Sequence, residues 1–169
     1  MKKFKLTSEF IVDISGVKLF RIKALIEFGN VKAGDLGGYI EKEENLSHMG
    51  NAWVSGNAWV SGNAQVSGNA RVSGYAQVFG DARVSGDKDY AYAHGFGSCN
   101  RTTTFFRLKD GDVGVRCGCF YGTLAQFRDN VCETHGETKK AQEYLMLADL
   151  MELRFEEDEN EVGNRKYVE

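Results

Sequence analysis

The chain reads, from Asn51 to Gly86, NAWVSG NAWVSG NAQVSG NARVSG YAQVFG DARVSG. Each of these six consecutive hexads has alanine at its second position, valine at its fourth and glycine at its last. Because side chains alternate along a strand, Ala52 and Val54 are predicted to face the interior and Trp53 to face outward. A flat sheet of hairpins cannot accommodate a turn in every six-residue repeat. The repeat therefore predicts a coil of short parallel strands stacked about 4.8 Å apart.

The repeat resembles that of the hexapeptide-repeat family. The stretch from Val54 to Ala58 matches the family's pattern of an aliphatic residue followed four positions later by a small one. The resemblance implies a left-handed parallel β-helix with three hexads in each turn, and it implies a homotrimer. Glycine also ends the stretches 45–50 and 33–38, so we expect the coil to begin near residue 33.

A turn of three hexads, about eighteen residues, predicts which outward side chains lie above one another. The predicted pairs are Trp53 with Arg71, Trp59 with Gln77, and Gln65 with Arg83. Two outward tryptophans on so short a coil would form an apolar patch that needs cover. The cover is either the chain's own terminal segments or a second subunit, and ligand stacking is a third explanation. The subunit interface would use Trp53, Trp59, Arg71 and Gln77.

Flanking segments are expected to cap both ends of the coil, because parallel strands leave unpaired edges there. Upstream, Glu9 to Ala24 alternates apolar and polar residues around Ser15-Gly16, which predicts a β-hairpin. Downstream, the pattern changes near residue 87. It predicts two strands and then two helices, over 101–109, 113–120, 124–131 and 139–155. A capping box at the start of the first helix is formed by Thr123 and Gln126.

The predicted fold class is therefore mainly β, a short left-handed parallel β-helix with an N-terminal β-hairpin cap and a C-terminal ββαα module. Four segments are predicted: the cap at 1–32, the hexapeptide-repeat β-helix at 33–86, the ββαα module at 87–155 and an acidic tail at 156–169. The tail is expected to be disordered because it is strongly charged and poor in apolar residues.

Composition and charge argue against several classes of protein. The 169 residues carry a net charge of −3 and contain no apolar run near the roughly 18 residues that a membrane span needs. The start lacks the apolar stretch of a signal peptide, and four cysteines are too few for a disulfide scaffold. We therefore expect reduced thiols in the cytoplasm. Without a basic stripe, general nucleic-acid binding is not expected, although a small anion needs only a local site.

The segment 95–104, GFGSCNRTTT, concentrates hydrogen-bond donors. Glycine brings backbone amides close to a ligand, hydroxyl groups add donors, and arginine adds charge, which is the chemistry of an anion or nucleotide-phosphate site. The spacing is not that of a P-loop. The predicted ligand-binding residues here are Ser98, Asn100, Arg101, Thr102 and Arg107. The alternative is that a run of threonine is simply good strand material.

Cysteine and histidine provide a second set of candidates. Cys117 and Cys119 are two residues apart and are predicted to share one face of a strand. A zinc site would need partners such as Cys132, but the Cys-x-Cys spacing does not favour one, and buried thiols are the simpler interpretation. Thr134 and His135 follow in the connection between the helices, where an imidazole can bind a ligand or act as a base. The predicted ligand site therefore also includes Cys117, Cys119, Thr134 and His135, but not Cys132.

His48 occupies the interior valine position of an early hexad. We interpret it as an irregularity of the first coil with a satisfied imidazole, rather than as a catalytic group. No acidic residue stands out to orient a base, so no catalytic residue, cofactor or metal is predicted. Many hexapeptide-repeat proteins transfer acyl groups from acyl-CoA with a histidine beside the coil. Residues 51–86 contain no histidine and no inserted loop, so that activity does not follow from the fold.

A closer resemblance covers nearly the whole chain. The combination of GDLGGYIEKEENLSH, the Asn-Ala-x-Val-Ser-Gly coil and GSCNRTTTFF…VRCGCFYGTLAQF…ETHG is similar to phage- and prophage-encoded hexapeptide-repeat proteins, which are usually described as transferases on fold alone. The resemblance implies a cytoplasmic phage accessory protein in a bacterial host cell. We expect a non-enzymatic protein that counters host defence by binding a small anionic, nucleotide-like ligand or a host protein. The alternatives are an acyl-CoA-dependent or Cys/His-based transferase, and a structural virion or assembly protein.

Overall fold

The computed structural model describes residues 1–97 and 101–156. A hairpin and a third strand come first: β1 (Phe4–Val12), β2 (Lys18–Ala24) and β3 (Leu36–Ile40). Six two-residue strands follow: β4 (Trp53–Val54), β5 (Trp59–Val60), β6 (Gln65–Val66), β7 (Arg71–Val72), β8 (Gln77–Val78) and β9 (Arg83–Val84). The remaining elements are β10 (Tyr90–Phe96), β11 (Arg101–Arg107), β12 (Val113–Cys117), β13 (Phe120–Thr123), α1 (Leu124–His135) and α2 (Lys139–Phe155).

The six short strands form three parallel ladders: β4 with β7, β5 with β8, and β6 with β9. In register, Trp53 pairs with Arg71, Trp59 with Gln77, and Gln65 with Arg83, so all three predicted pairs are confirmed. The alanines and valines of the hexads are buried, each at most 1% exposed, and they form one continuous core. The prediction that alanine and valine face inward is therefore confirmed.

The N-terminal hairpin extends the sheet that forms one face of the coil. Strands β1 and β2 pair antiparallel, as the sequence predicts, and β2 pairs with β3 in the same sense. Strand β3 then runs parallel to β5, with Tyr39 opposite Trp59 and Ile40 opposite Val60. A single sheet in the order β1-β2-β3-β5-β8 therefore joins the hairpin to the coil.

The chain itself covers both tryptophans, which are 4% and 8% exposed. Trp53 meets the ring of Phe28 edge-on at 5.3 Å, and Trp59 packs with Leu19 and Tyr39. The patch on which the interface prediction depended is therefore not on the surface, and the first explanation, cover by terminal segments, is the correct one. Arg71 and Gln77, which pair with the two tryptophans, also form hydrogen bonds within the chain. The backbone N–H of Arg71 donates to Asp87 at 2.8 Å, and that of Gln77 donates to Thr104 at 2.9 Å.

The C-terminal module has four strands rather than the two predicted, with the antiparallel order β10-β11-β12-β13, followed by the two helices. Strand β10 was not predicted. Its tyrosines favour a strand, but they alternate with alanine, which is depleted in strands. The strand predicted over 113–120 ends at Cys117, and β13 was not predicted. Gly118, at φ +59°, begins the tight turn between β12 and β13, and Cys117 pairs directly with Phe120.

Strand β11 closes the lower end of the coil. Phe106 is fully buried in the core of the coil, whereas the adjacent Phe105 is fully buried in the core formed with the helices. Ala82 forms an isolated bridge with Leu108, and Arg154 on α2 donates to the Tyr90 carbonyl at 3.2 Å. The module is therefore seated directly on the last turn of the coil. Neither helix of the described ranges has the length and apolar character needed to cross a membrane.

Candidate functional site

A cavity of about 500 Å³ lies in the C-terminal module, between the β12–β13 turn, the end of α1 and one face of α2. We call it the module cavity. Its polar lining consists of Arg101, Cys117, Cys119, Asn130, Thr134, His135 and Tyr144. Its apolar wall consists of Phe120, Phe127 and Val131. Arg101 is the only one of these side chains that is charged at all ordinary pH values, and the described lining contains no carboxylate.

The structure brings together five of the residues that the sequence predicted as ligand-binding: Arg101, Cys117, Cys119, Thr134 and His135. They come from three separate parts of the module. Arg101 begins β11, the cysteines flank the β12–β13 turn, and the other two end α1. Two further predicted residues, Ser98 and Asn100, lie outside the described residues.

Thr102 and Arg107 do not line the module cavity. Thr102 is 8% exposed, and its hydroxyl lies 2.7 Å from Nδ1 of His94. Arg107 donates to the carbonyl of Gly111 at 3.0 Å and to that of Phe155 at 2.9 Å. Thr102 lines a smaller cavity of about 300 Å³ together with Arg101 and Cys119, whereas Arg107 lies apart from both cavities. The threonine run is strand material, as the alternative proposed, and Arg107 secures the end of α2.

Tyr144, on α2, lines the module cavity and was not among the ligand-binding residues predicted from the sequence. Its hydroxyl accepts a hydrogen bond from the Cys117 thiol at 3.8 Å. Burial, and then the nearby Cys117, raise the pKa of Tyr144 to about 12, so the phenol remains a neutral donor at physiological pH. A tyrosine in an apolar helical stripe is itself a usable signal, because a buried hydroxyl needs a partner.

Gly97 gives the Tyr144 hydroxyl its space. Its backbone has φ +79°, which favours glycine, and a methyl group at this position would overlap the hydroxyl. The ring of His135 stacks against the other side of Tyr144, with centroids 5.7 Å apart. The phenol is therefore positioned by contacts on two sides rather than free to rotate out of the cavity.

The thiols line the cavity without forming an evident catalytic or metal centre. Cys117 accepts a hydrogen bond from the Thr103 hydroxyl at 3.2 Å, whereas Cys119 is exposed in the turn. Within residues 1–97 and 101–156, no three histidine, cysteine or acidic side chains are grouped so that they could hold a metal ion. The geometry supplies hydrogen-bond donors, one positive charge and aromatic surface.

A larger but more open groove of about 570 Å³ lies beside His48. The imidazole there is fully engaged. Its Nδ1 accepts from the backbone N–H of Lys3 at 3.1 Å, its Nε2 lies 3.0 Å from Glu43, and its ring stacks on Phe4 at 4.2 Å. The prediction of a satisfied imidazole is confirmed. Because both nitrogens of the His48 imidazole already have partners, this groove is a weaker candidate than the module cavity.

The three parallel ladders, in a mainly β chain with a two-helix C-terminal module, are consistent with a β-solenoid. A profile described as the YdcK beta solenoid repeat matches residues 64–78 and 76–87, which is the lower part of the coil. The coil is therefore similar in sequence to a known solenoid repeat over those residues, and the module cavity lies outside the match. No curated protein matches the chain.

Proposed function

We propose that this protein uses its β-solenoid as a rigid support for a module that binds a small anionic, nucleotide-like ligand without reacting with it. The observation that carries the proposal is the lining of the module cavity. Arg101 supplies its permanent charge, Asn130 and Tyr144 supply hydrogen bonds, and Phe120 and Phe127 supply aromatic surface. A cavity of about 500 Å³ lies within the range of small-molecule sites.

The charge distribution supports an anion in particular. Among the residues that the structure describes, no carboxylate lines the cavity to neutralise the Arg101 guanidinium. A phosphate or carboxylate can therefore form charge-assisted hydrogen bonds there, and the aromatic wall can pack against the rest of the ligand. A concave lining of this kind favours a small molecule over the surface of a host protein.

The proposal extends to the whole protein through the resemblance to phage-encoded hexapeptide-repeat proteins. On that basis the coil is left-handed, the protein is a cytoplasmic homotrimer, and ligand binding serves to counter host defence. The buried tryptophans do not provide the trimer contact, so the trimer would use another face. Light scattering that gives the mass of one chain would remove the trimer from the proposal.

One observation favours a second candidate, a Cys/His-based transferase, because Cys117 and His135 line the same cavity. Nucleophilic catalysis would need a base beside the thiol. The hydrogen bonds of Cys117 within the described part of the chain are to Thr103 and Tyr144, not to an imidazole. The binding function is therefore the better supported of the two.

The test is isothermal titration calorimetry of the intact protein with AMP, GMP, CMP and UMP. Replacing Arg101 with Met removes the charge. A lost charge-assisted hydrogen bond contributes about 1.5–3 kcal/mol, so we expect at least tenfold weaker binding. Arg83→Met, which removes a guanidinium from the coil instead, should bind like the wild type. Equal binding by Arg101→Met, or no binding of any nucleotide by the wild type, would contradict the proposal. If the wild type converts a substrate and Cys117→Ser abolishes that activity, the transferase is the better explanation.

A further inference from the structure

A second cavity, of about 220 Å³, lies where the tip of the N-terminal hairpin meets the C-terminal sheet. We call it the hairpin cleft. Its lining includes Ile11, Asp13, Leu19, Trp59, Gln77 and Arg116. The cleft is thus mostly apolar but contains one residue of each charge. It shares neither charged residue with the module cavity.

Arg116 is a buried cation that has no hydrogen-bond partner among residues 1–97 and 101–156. The residue is 6% exposed, and its guanidinium lies over the rings of Phe79 at 4.1 Å and Trp59 at 5.1 Å. It donates no hydrogen bond to any residue in the described ranges, and its Nε is sealed from solvent. Burial lowers the pKa of Arg116. Because buried donors in native proteins are nearly always paired, the guanidinium is available to a partner that enters the cleft.

Asp13 lies near Arg116 without forming an ion pair with it. Its Oδ1 accepts from the Ser15 backbone at 2.9 Å, the Ser15 hydroxyl at 2.7 Å and the Val17 backbone at 3.0 Å. Its Oδ2 is buried and has no hydrogen-bond partner in the described part of the chain. Burial acts to raise the pKa of Asp13, but the bonds from Ser15 and Val17 and the charge of Arg116 hold it below its ordinary value. The carboxylate is therefore ionised at neutral pH.

The two charges restrict what the cleft can accept. A simple anion at Arg116 would be repelled by Asp13, and a simple cation at Asp13 would be repelled by Arg116. A ligand that carries both charges close together would satisfy both residues. The volume corresponds to about seven water-sized groups at roughly 30 Å³ each, which is the size class of a single amino acid.

We propose that the hairpin cleft binds a free α-amino acid with an apolar side chain. Its carboxylate bonds to Arg116 and its ammonium group to Asp13. Its side chain packs against Ile11, Leu19 and Trp59. The zwitterion distinguishes a free amino acid from the end of a peptide, which carries only one of the two charges.

The test is titration of the intact protein with L-valine, followed by calorimetry and by tryptophan fluorescence, since Trp59 lines the cleft. N-acetyl-L-valine lacks the ammonium group and L-valinamide lacks the carboxylate, so each should bind at least tenfold more weakly. Asp13→Asn keeps the Oδ1 acceptor of the turn but removes the charge, and Arg116→Met removes the cation. Both variants should lose at least tenfold in valine affinity, whereas Arg83→Met should bind like the wild type.

If Arg116→Met does not fold, Asp13→Asn and the two valine derivatives still decide the question. Saturable binding of L-valine, weakened by the loss of either charge, supports the proposal. A wild-type protein that binds neither valine nor leucine at millimolar concentration overturns it, because the cleft then holds only water. Equal binding of valine and its two derivatives also overturns it.

Discussion

Lys3 shows what one buried charge does to this protein. The residue is 1% exposed, and its ammonium group donates to the carbonyl of Ala52 at 2.7 Å and lies 4.6 Å from the ring centre of Phe28. Burial, and then the positive charge of Arg71, lower the pKa of Lys3 from 10.5 to about 8. A lysine in the first residues of the chain is therefore an integral part of the packing at the top of the coil.

We predict a pH dependence of stability from this shift. Between pH 10.5 and about 8, the unfolded chain binds a proton at Lys3 that the folded chain does not. The free energy of unfolding should therefore fall as the pH falls through this range, and Lys3→Met should remove that part of the slope. Urea unfolding at several pH values measures it. The exposed Lys5→Met is the control and should keep the wild-type slope. A difference between wild type and Lys3→Met that stays constant across this range would contradict the prediction.

At the same scale, the candidate residues that could be predicted are those whose chemistry is visible in the sequence alone. Arg101, Cys117 and His135 qualify because their side chains are chemically distinctive. For Tyr144 the local sequence indicates only that a buried hydroxyl needs a partner, and it does not identify Cys117 as that partner. Arg116 could not be recognised from the sequence, because its contact with Trp59 joins parts of the chain that are far apart in sequence.

At the scale of elements, the coil was predictable because its signal repeats locally and in register. The second helix was predicted at its observed bounds, whereas the first extends to His135 rather than ending at residue 131. Strands β10 and β13 were not predicted, because their pairing depends on neighbours in the sheet more than on their own residues.

The capping box of α1 gives a prediction at this scale. The Thr123 hydroxyl accepts from the Gln126 backbone at 3.2 Å, and the Gln126 side chain accepts from the Thr123 backbone at 2.9 Å. Thr123→Ala should lower the free energy of unfolding by about 1 kcal/mol, measured by urea unfolding. Thr123→Ser keeps the hydroxyl and should retain most of the wild-type value. Equal losses in the two variants would show that the hydroxyl is not the cause.

For the whole molecule, β11 couples the two cores, because Phe105 belongs to one and Phe106 to the other. We predict a single unfolding transition, with tryptophan fluorescence from the coil and far-UV circular dichroism from the helices changing together. Phe106→Ala should lower the free energy of unfolding by about 3–5 kcal/mol and shift both signals equally. Phe10, which is 45% exposed, provides the control, and Phe10→Ala should change stability far less. Two separate transitions in the wild type would contradict the coupling.

The shortness of the coil has a consequence for the hairpin cleft. Arg116 comes from the module below, yet it reaches Trp59, which lies one rung above Gln77 on the same face. Each additional turn would move the module about 4.8 Å further from the hairpin, which is enough to separate the guanidinium from the indole. The number of repeats therefore determines whether the C-terminal module can contact the hairpin end of the coil. A relative with a longer coil could keep the fold and the module cavity and still lack the cleft.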